Sequence, residues 1–509
     1  MRYTCVDTAE FLYPDITDYV SGTKEIRILS PRGSYACAQI LFSDVAEQTL
    51  NIKTEGWNPE LYEMVAIYVE RNHGLDENNS TPHIPERIAP YYLYDCIKPI
   101  DGTLTVGEGG ICALYLSEWI PDDAPVGIRE CSVRVGDLVI PVTVEVSSVT
   151  VPAESLIQLV GYGRDAVAKY HNVAYNSPEF EALDTAYLQM LRRMRQNALY
   201  CPGPQAKPLG DNKWEISFDA MEAFMAKTIP MGYKIFNWGL GFRRSWSAST
   251  ILVNGMESMS FECYCYLAQM LPAMVKFLKE HGWLDNFILG IADEPNFANA
   301  TEYRALCGLV RKLAPELKLL DAMSFGPVHG AIDIWIPLNA EYQHHRAEIE
   351  TFRTYGDEIW FYDCCGPRGG KTINRFMDYA LLATRYHFWA GYRYDLTGYL
   401  HWAANKYQPG QDPFTQSCPE HHNADSICYL PAGDTHIMYP GDGAPWMSVR
   451  LEAQRASAEE YEMFRALAAK DKAKADEICT SVCREFDDVE YDVRKFRAAR
   501  TALIRELEK

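Results

Sequence analysis

Eight apolar segments of β-strand character, most of them separated by helical segments, constrain the fold of this chain more than any other feature. The strand segments are residues 154–163, 196–203, 233–240, 286–295, 317–325, 332–339, 358–366 and 397–407, and the helical ones 178–195, 218–229, 259–281, 300–313, 342–355, 374–392 and 449–467. Near-continuous apolar strands are typical of parallel sheets that are covered on both faces. The pattern therefore predicts an α/β protein with a closed (β/α)8 barrel of the TIM type.

An open, doubly wound sheet is the alternative for this order of elements. A nucleotide-binding sheet of that kind carries a glycine-rich phosphate loop after its first strand. The segment that follows the first strand, Gly161-Tyr-Gly-Arg-Asp-Ala166, matches this fingerprint poorly. We therefore favour the barrel and assign it to residues 151–470.

The first 150 residues have a different texture from the barrel region. Short β-rich runs recur there at 25–30, 35–43, 49–54, 64–71, 110–120, 128–136 and 138–148, with turn signals such as Asp101-Gly102 between them. Regularly spaced short strands with such turns predict an antiparallel β-sandwich over residues 1–150. Residues 471–509 are charged and periodic, which predicts a C-terminal helical segment packed on the barrel.

The net charge and the cysteine content limit the classes of binding partner and the cellular location that we expect. The net charge of −21 disfavours nucleic acid and anionic membranes, because both require clustered Lys and Arg. No signal peptide or membrane-spanning run is visible, and the 15 cysteines have no framework spacing, so we expect reduced thiols and a cytoplasmic location. Homo-oligomer formation stays open. No motif predicts a cofactor.

Two adjacent carboxylates end the fourth predicted strand. Asp293 and Glu294 follow the apolar run 287–292, and Pro295 prevents further ladder pairing. In a barrel the carboxyl ends of the strands carry the chemistry. Neighbouring strand residues point to opposite faces, so the backbone must leave β-geometry if both acids are to share one pocket. The alternative is that one acid caps the next helix.

A resemblance makes this pair more specific. The segments IADEPNFANATEYRALCGLVRKLAPELKLLDA, IDIWIP, EIWFYDCCGP, GYLHWAANKY and YPGDGAPWMSVRLEAQRASAEEYEMF carry it. From Val151 to about Leu467 the chain resembles glycoside hydrolase family 123 and its uncharacterised relatives, and the amino-terminal region fits more loosely. The resemblance implies an exo-acting enzyme that removes terminal β-linked N-acetylgalactosamine from a glycan or glycoconjugate. Asp293 and Glu294 match the catalytic pair of that family.

The same resemblance implies a substrate-assisted, retaining mechanism, in which the 2-acetamido oxygen of the sugar attacks C1. Glu294 would protonate the leaving oxygen and then activate water, while Asp293 would accept the acetamide N–H and stabilise the oxazolinium intermediate. Two acids so close together should have at least one raised pKa, and we expect it at Glu294.

Other residues near predicted strand ends are candidates for sugar binding, with core packing as the alternative for each. They are Trp335, Tyr362, Trp402, Asn405, Asn237 and Trp238, and Tyr200 is a weaker candidate. Asp321, Asp333 and Asp363 are rival carboxylates, any of which could be a nucleophile in the ordinary two-acid route. That route would fit an exo-glycosidase on a sugar without an acetamido group. A non-catalytic carbohydrate-binding protein is the remaining alternative.

Two cysteine-containing segments could suggest other chemistry. Cys418, Glu420, His421, His422 and Cys428 lack the regular spacings that zinc sites prefer, so we predict no metal. The adjacent Cys364 and Cys365 fit either a redox pair or a buried strand end.

Overall fold

The computed structural model describes residues 1–73, 87–243, 245, 248–323, 327–422 and 427–509, so the last two residues of the predicted strand 317–325 lie outside the described residues. The amino-terminal region is built from strands. They are β1 (Arg2–Val6), β2 (Ile26–Arg32), β3 (Ser34–Ser43), β4 (Thr49–Glu55), β5 (Glu60–Val69), β6 (Tyr91–Ile100), β7 (Thr103–Thr105), β8 (Cys112–Ile120), β9 (Gly127–Val135) and β10 (Leu138–Thr150).

Strands and helices alternate in the rest of the chain. The strands are β11 (Ile157–Val160), β12 (Ala198–Tyr200), β13 (Gln205–Gly210), β14 (Lys213–Ser217), β15 (Ile235–Gly239), β16 (Gly241–Phe242), β17 (Leu252–Val253), β18 (Met256–Glu257), β19 (Phe287–Gly290), β20 (Lys318–Met323), β21 (Ile334–Pro337), β22 (Glu358–Ile359), β23 (Phe361–Tyr362), β24 (Gly398–His401), β25 (Glu420–His422), β26 (Ile427–Tyr429), β27 (Met438–Pro440), β28 (Pro445–Ser448), β29 (Cys483–Glu485) and β30 (Asp488–Val489). The helices are α1 (Arg164–Tyr170), α2 (Pro178–Arg193), α3 (Asp219–Thr228), α4 (Phe261–Glu280), α5 (Ala300–Leu313), α6 (Asn339–His344), α7 (Arg346–Arg353), α8 (Leu381–Arg385), α9 (His387–Arg393), α10 (Val449–Thr480) and α11 (Val493–Leu507).

A nearly closed parallel ring forms the centre of the carboxyl-terminal region. Its strand order is β22-β21-β20-β19-β15-β12-β11-β24-β23, and the pairs are parallel throughout. β22 pairs with β21 and β23 pairs with β24, and only Trp360 separates β22 from β23 along the chain. The two ends of the sheet therefore meet across one residue. Each of the eight predicted strand segments contributes to this ring.

Alternation along the ring strands separates two apolar layers. Inward-facing side chains form a compact inner core that includes Ile288, Leu320, Ile336 and Trp360. Their sequence neighbours face outward and join a larger core with the surrounding helices. Because a strand has a period of two, this alternation decides which strand-end side chains reach the mouth of the ring.

The amino-terminal region consists of two sheets with a shared core. Their orders are β1-β3-β8-β5-β6-β28-β27 and β2-β10-β9-β4-β7, and one apolar cluster takes residues from both. The prediction of a purely antiparallel region is wrong in one respect, because β10 pairs with β2 in parallel. The first sheet also receives β27 and β28 from the far end of the chain, which covers the free edge of β6.

The helix α10 connects the ring with the amino-terminal sheets. It runs past the predicted barrel boundary at residue 470 and has one non-helical residue, Asp471. The charged residues of its first half, up to Glu462, are buried and hydrogen-bonded, as in the contact of 2.9 Å between Arg450 and Asp95 of β6. Buried charges are tolerated only when paired in this way. None of the helices in the described ranges is both long and apolar enough to cross a membrane.

Candidate active site

The acidic pair lies on a strained turn just beyond β19. Asp293 and Glu294 have backbone φ angles of 54° and 42°, which is the left-handed region that residues with a Cβ rarely adopt. Each such residue costs about 1–3 kcal/mol and persists only where its surroundings enforce it. The departure from β-geometry that a shared pocket requires is therefore present.

The carboxylate of Asp321 enforces this turn. It accepts hydrogen bonds from the backbone N–H groups of Ala292, at 2.9 Å, and Asp293, at 3.0 Å. The Tyr303 hydroxyl donates a third hydrogen bond to it at 2.9 Å, and the N–H of Glu294 donates to the Ala322 carbonyl at 2.9 Å. Asp321, a rival nucleophile in the sequence, is thus occupied in holding the acidic turn.

The surroundings of the turn raise the pKa values of Asp293 and Asp321. Part of Asp293 is open to solvent, but the protein atoms crowded around its carboxyl desolvate it. This desolvation and the charge of Glu294 raise the pKa of Asp293 to about 6, while the nearby Arg243 opposes the shift. Burial and the charge of Asp293 raise the pKa of Asp321 to about 7, although its three donors oppose this. The expectation that Glu294 holds a proton near neutral pH stays a prediction.

Tyr362 joins the acidic pair across the ring. Its hydroxyl donates a hydrogen bond of 2.6 Å to Oε1 of Glu294. The side chain belongs to the inner layer of the ring, which carries it from β23 to the far side of the mouth. Burial and the charge of Glu294 raise the pKa of Tyr362 well above its usual value, so the phenol remains a donor. Among the predicted binding residues, Tyr362 has a direct contact with the acids.

A cavity of about 560 Å³ opens at the carboxyl ends of the ring strands, and its lining does not include either acid. Its lining includes Tyr200 and Trp402, which come from the ends of β12 and β24, together with Tyr162 and Lys406. Desolvation of its hydroxyl and the negative charges of Asp293 and Asp321 raise the pKa of Tyr200, which places this hydroxyl near the acidic turn. Tyr200 therefore belongs both to the lining of the cavity and to the surroundings of the acidic turn.

The remaining predicted binding residues have internal partners. Asn405 is fully buried, and its amide exchanges hydrogen bonds of 2.8 and 3.1 Å with the backbone of Gly163. Asn237 is buried and donates to the Ile288 carbonyl at 3.1 Å. Trp238 lies against Gly203, where a Cβ would come within 2.1 Å of the indole nitrogen. These residues fix loops and strand ends around the mouth.

Trp335 is not brought to the acidic pair. Its neighbours Ile334 and Ile336 face the inside of the ring, so its own side chain points outward. There it packs on Phe352 with ring centroids 4.3 Å apart and donates a hydrogen bond of 2.8 Å to Asp357. The alternation of side chains along a strand explains why Trp335 points away from the mouth of the ring.

A cluster of buried polar side chains lies behind the mouth, around the end of β24. We call it the strand-8 network, after the eighth predicted strand segment, and its members are Asp363, Arg375, His387, His401 and Asp434. Asp363 accepts hydrogen bonds from His387 and, at 2.7 Å, from the Tyr399 hydroxyl. Nδ1 of His401 lies 2.7 Å from the Arg375 guanidinium and its Nε2 lies 3.3 Å from Asp434.

The outer end of the strand-8 network reaches the cavity. Both oxygens of Asp434 lie 3.1 Å from the indole N–H of Trp402, which donates to them. Burial raises the pKa of Asp434 well above its usual value, and burial with the charge of Arg375 lowers that of His401 well below. The network thus holds Trp402 from behind.

The other rival carboxylates are also engaged. Asp363 lies in the network, and Asp333 accepts from the Leu319 N–H at 2.7 Å and pairs with Arg311 at 2.9 Å. Neither is placed to attack a sugar at the mouth. Across the described residues no group of three or more His, Cys, Asp or Glu side chains is arranged to hold a metal ion. Residues 423–426 of the Cys418–Cys428 segment lie outside that description.

Two residues of the site were not singled out from the sequence. Arg243, just after the third strand, donates a hydrogen bond of 2.7 Å to the carbonyl of Asp293. Its position after a strand end was a usable signal. Tyr303 lies inside α5, where a tyrosine reads as core, and nothing in the sequence marks it as a partner of Asp321.

Comparisons with known proteins show what this chain is similar to. The model of the glycoside hydrolase 123 catalytic domain matches residues 220–467, which include the acidic turn and Tyr362. A family 123 glycoside hydrolase from Clostridium perfringens, described in a study of glycolipid glycan hydrolysis, superposes with a TM-score of 0.76 at 12% identity, covering 100% of this chain and 98% of that one. At this identity the superposition establishes the fold.

Other solved structures are much less similar. An FMN-binding β-glucuronidase from Facaelibacterium prausnitzii covers 86% of this chain and 62% of its own, with 9% identity and a TM-score of 0.33. A GH10 xylanase with a bacterial Ig-like domain from termite gut covers 87% and 100%, with 10% identity and a TM-score of 0.34. The search of curated proteins gave no match.

The ring with an acidic turn at its mouth and the match of its catalytic domain define a glycoside hydrolase. Residues 220–467 match the catalytic-domain model of glycoside hydrolase family 123, and the resemblance seen in the sequence is confirmed.

Proposed function

We propose that this protein is a retaining exo-glycosidase that releases terminal β-linked N-acetylgalactosamine by a substrate-assisted mechanism. The observation that carries the proposal is the left-handed turn at Asp293 and Glu294, with Tyr362 hydrogen-bonded to Glu294. In this proposal the parallel ring is a (β/α)8 barrel, and the two amino-terminal sheets are a sandwich that buttresses it.

The state of the neighbouring carboxylates supports participation by the substrate. The ordinary retaining route needs a second carboxylate about 5 Å from the acid, free to attack C1. Asp321, Asp333 and Asp363 each accept hydrogen bonds from two or more groups. In contrast, no hydrogen bond to the Asp293 carboxylate is found among the described residues. A sugar amide oxygen takes the place of the missing nucleophile.

The two acids then have separate tasks. Glu294 gives its proton to the glycosidic oxygen and later takes one from the attacking water, while the Tyr362 hydroxyl fixes its orientation. Asp293 accepts the acetamide N–H, which orients the amide oxygen toward C1, and its charge stabilises the oxazolinium cation. Asp293 must be ionised for this, so its pKa of about 6 predicts that activity is lost as the pH falls below that value.

The cavity at the ends of β12 and β24 suits a glycan. Tyr200 and Trp402 offer aromatic faces with polar tips, which is the expected lining of a sugar site. The Clostridium perfringens relative is described as acting on glycolipid glycans. We extend that description to this chain as the sugar end of a glycoconjugate, for which no cofactor is needed.

A comparison of two aryl β-glycosides tests the proposal. We expect hydrolysis of the N-acetylgalactosaminide and a rate at least ~10²-fold lower for the galactoside, because the latter has no 2-acetamido group to supply the nucleophile. A thiazoline that mimics the oxazolinium ion should inhibit competitively. Proton NMR of the first-formed sugar should show retention of configuration.

Other outcomes of these assays would support the alternative functions. Comparable rates on both substrates, without thiazoline inhibition, would show an exo-glycosidase that does not use an acetamido group. Binding of a glycan without hydrolysis of any aryl glycoside would leave a carbohydrate-binding protein. The matching N-acetylglucosaminide reports the preference at C4.

A further inference from the structure

Two adjacent thiols lie at the same strand end as Tyr362. Cys364 and Cys365 are half-buried, and their Sγ atoms are 3.9 Å apart. Cys364 is two residues beyond Tyr362, and it packs against the inner layer of the ring to which Tyr362 belongs. The thiol pair therefore lies close to the partner of Glu294, although the proposed mechanism gives it no task.

The surroundings make the two thiols unequal. The Cys364 thiol as hydrogen-bond donor and the charge of Arg368 lower the pKa of Cys365 despite its burial, and that of Cys364 is raised well above its usual value. Nε of Arg368 donates a hydrogen bond of 2.8 Å to the Cys365 carbonyl, which keeps the guanidinium near. A thiolate is the reactive form of cysteine, so Cys365 is the nucleophile of the pair.

We propose that Cys364 and Cys365 form a reversible redox-modification site whose oxidant is a low-molecular-weight disulfide. The Cys365 thiolate attacks one sulfur of the small disulfide, forms a mixed disulfide and releases one small thiolate. Cys364 then loses its proton and attacks Sγ of Cys365, which forms the internal disulfide and releases a second small thiolate. The two small thiolates take up the two protons that the cysteines lost, so two protein thiols are oxidised and one small disulfide is reduced to two thiols.

Closing this bond disturbs the proposed acid. The sulfurs must approach from 3.9 Å to about 2.05 Å. Adjacent Cα atoms are about 3.8 Å apart across a trans peptide, less than the usual separation in disulfides, so the backbone at residues 364 and 365 must adjust. Tyr362 lies two residues away and donates to Glu294, so the adjustment weakens that hydrogen bond. Inhibition by oxidation, unlike formation of the disulfide, rests on the proposed function.

The test uses the full-length protein, reduced and then treated with oxidised glutathione. We expect the peptide containing residues 364 and 365 to lose about 2 Da, the mass of two hydrogens. Hydrolysis of an aryl β-N-acetylgalactosaminide should fall about tenfold and return with dithiothreitol, as expected for a misplaced general acid. Cys364→Ser should stop at the glutathione adduct on Cys365. Cys131→Ser, which removes a half-buried thiol in β9, should respond as the unmodified protein does.

Each outcome decides the proposal. Glutathione adducts on other cysteines without the internal disulfide overturn the redox site. A disulfide that forms but leaves activity unchanged overturns the inhibition of the enzyme by oxidation. The same loss of activity in a Cys364→Ser, Cys365→Ser double variant also overturns it, because another thiol would then be responsible. If the reduced protein hydrolyses no glycoside, the proposed function fails, while the mass measurement still decides whether the thiol pair is a redox site.

Discussion

The acidic turn and the strand-8 network place carboxylates at opposite sides of one ring, but these carboxylates differ in solvent exposure and in the number of their hydrogen-bond partners. At the turn, two residues have left-handed backbones, and one carboxyl is partly open to solvent with a pKa near 6. In the network, Asp363 and Asp434 are fully buried, and each has at least two partners. The first arrangement leaves acids available to a ligand, whereas the second uses them to hold neighbouring side chains.

The difference shows how a strand-end acid can be assigned a role. A carboxylate whose hydrogen-bonding capacity is met inside the protein contributes to stability and leaves little for a substrate. A carboxylate kept without such partners, on a backbone that costs energy to maintain, is typical of a functional site. The comparison therefore predicts that substitutions at the turn lower activity more than stability, and that substitutions in the network do the reverse.

The largest effect is expected from Glu294→Gln. The amide keeps the shape and can still meet the Tyr362 hydroxyl, but it has no proton to give to the leaving oxygen. We expect kcat on an unactivated glycoside to fall by ~10²–10⁴, and by much less on an aryl glycoside with a good leaving group, while the thermal unfolding midpoint hardly changes. Steady-state kinetics on both substrates and a thermal melt measure this.

Glu358→Gln is the matched control for that substitution. Glu358 lies at the start of β22 and pairs with Lys318 at 3.0 Å on the surface. Exposed ion pairs contribute little to stability, so both kcat and the melt should stay close to those of the unmodified protein. Full activity of the Glu294 variant on the natural glycoside would remove Glu294 from the proposed role and erase the contrast between the two regions.

The sequence allowed the ring to be predicted better than the pocket. Apolar runs that alternate with helical segments indicate buried strands directly, so the eight strand segments could be predicted from the sequence. The acidic pair was visible because Pro295 and a strand end frame it. By contrast, Trp335 had the right residue type at the right strand end but faces outward, and Asp321 looked like a rival acid although its oxygens meet backbone N–H groups. Both depend on side-chain direction across strands.

The second prediction concerns stability and uses Asp363→Asn. The carboxylate accepts from His387 and Tyr399 in a fully buried place, and an amide at this position satisfies only part of that capacity. We expect a loss of about 2–3 kcal/mol in the free energy of unfolding, the usual range for buried hydrogen bonds to charged groups. Denaturant unfolding measures the loss. The folded fraction should keep its kcat within roughly tenfold, because Asp363 does not contact the sugar.

The opposite result would break the comparison. A variant as stable as the unmodified protein, with kcat lowered by orders of magnitude, would make Asp363 a member of the catalytic machinery. It would also revive the two-acid route, in which a strand-end aspartate attacks C1. Tyr399→Phe removes one of the same hydrogen bonds without changing any charge, and it should have a smaller effect of the same kind.

The smallest effect, a shift in pH dependence, is expected from Arg243→Gln. The positive charge of Arg243 opposes the rise in the pKa of Asp293, so its removal should raise that pKa further. Because Asp293 acts in its ionised form in the proposed mechanism, the acidic limb of kcat/KM should move to higher pH by about half a unit to one unit. Activity at pH 6 then falls, and activity at pH 8 stays nearly constant.

Arg243→Lys separates charge from hydrogen bonding in this result. Lysine restores the positive charge near Asp293, but it does not reproduce the guanidinium that donates to the Asp293 carbonyl at 2.7 Å. If the positive charge determines the position of the acidic limb of kcat/KM, the lysine variant should bring this limb most of the way back to the pH of the unmodified protein. If both variants instead lose activity equally at every pH, Arg243 maintains the backbone of the turn. The acidic limb would then have to be assigned to a group other than Asp293.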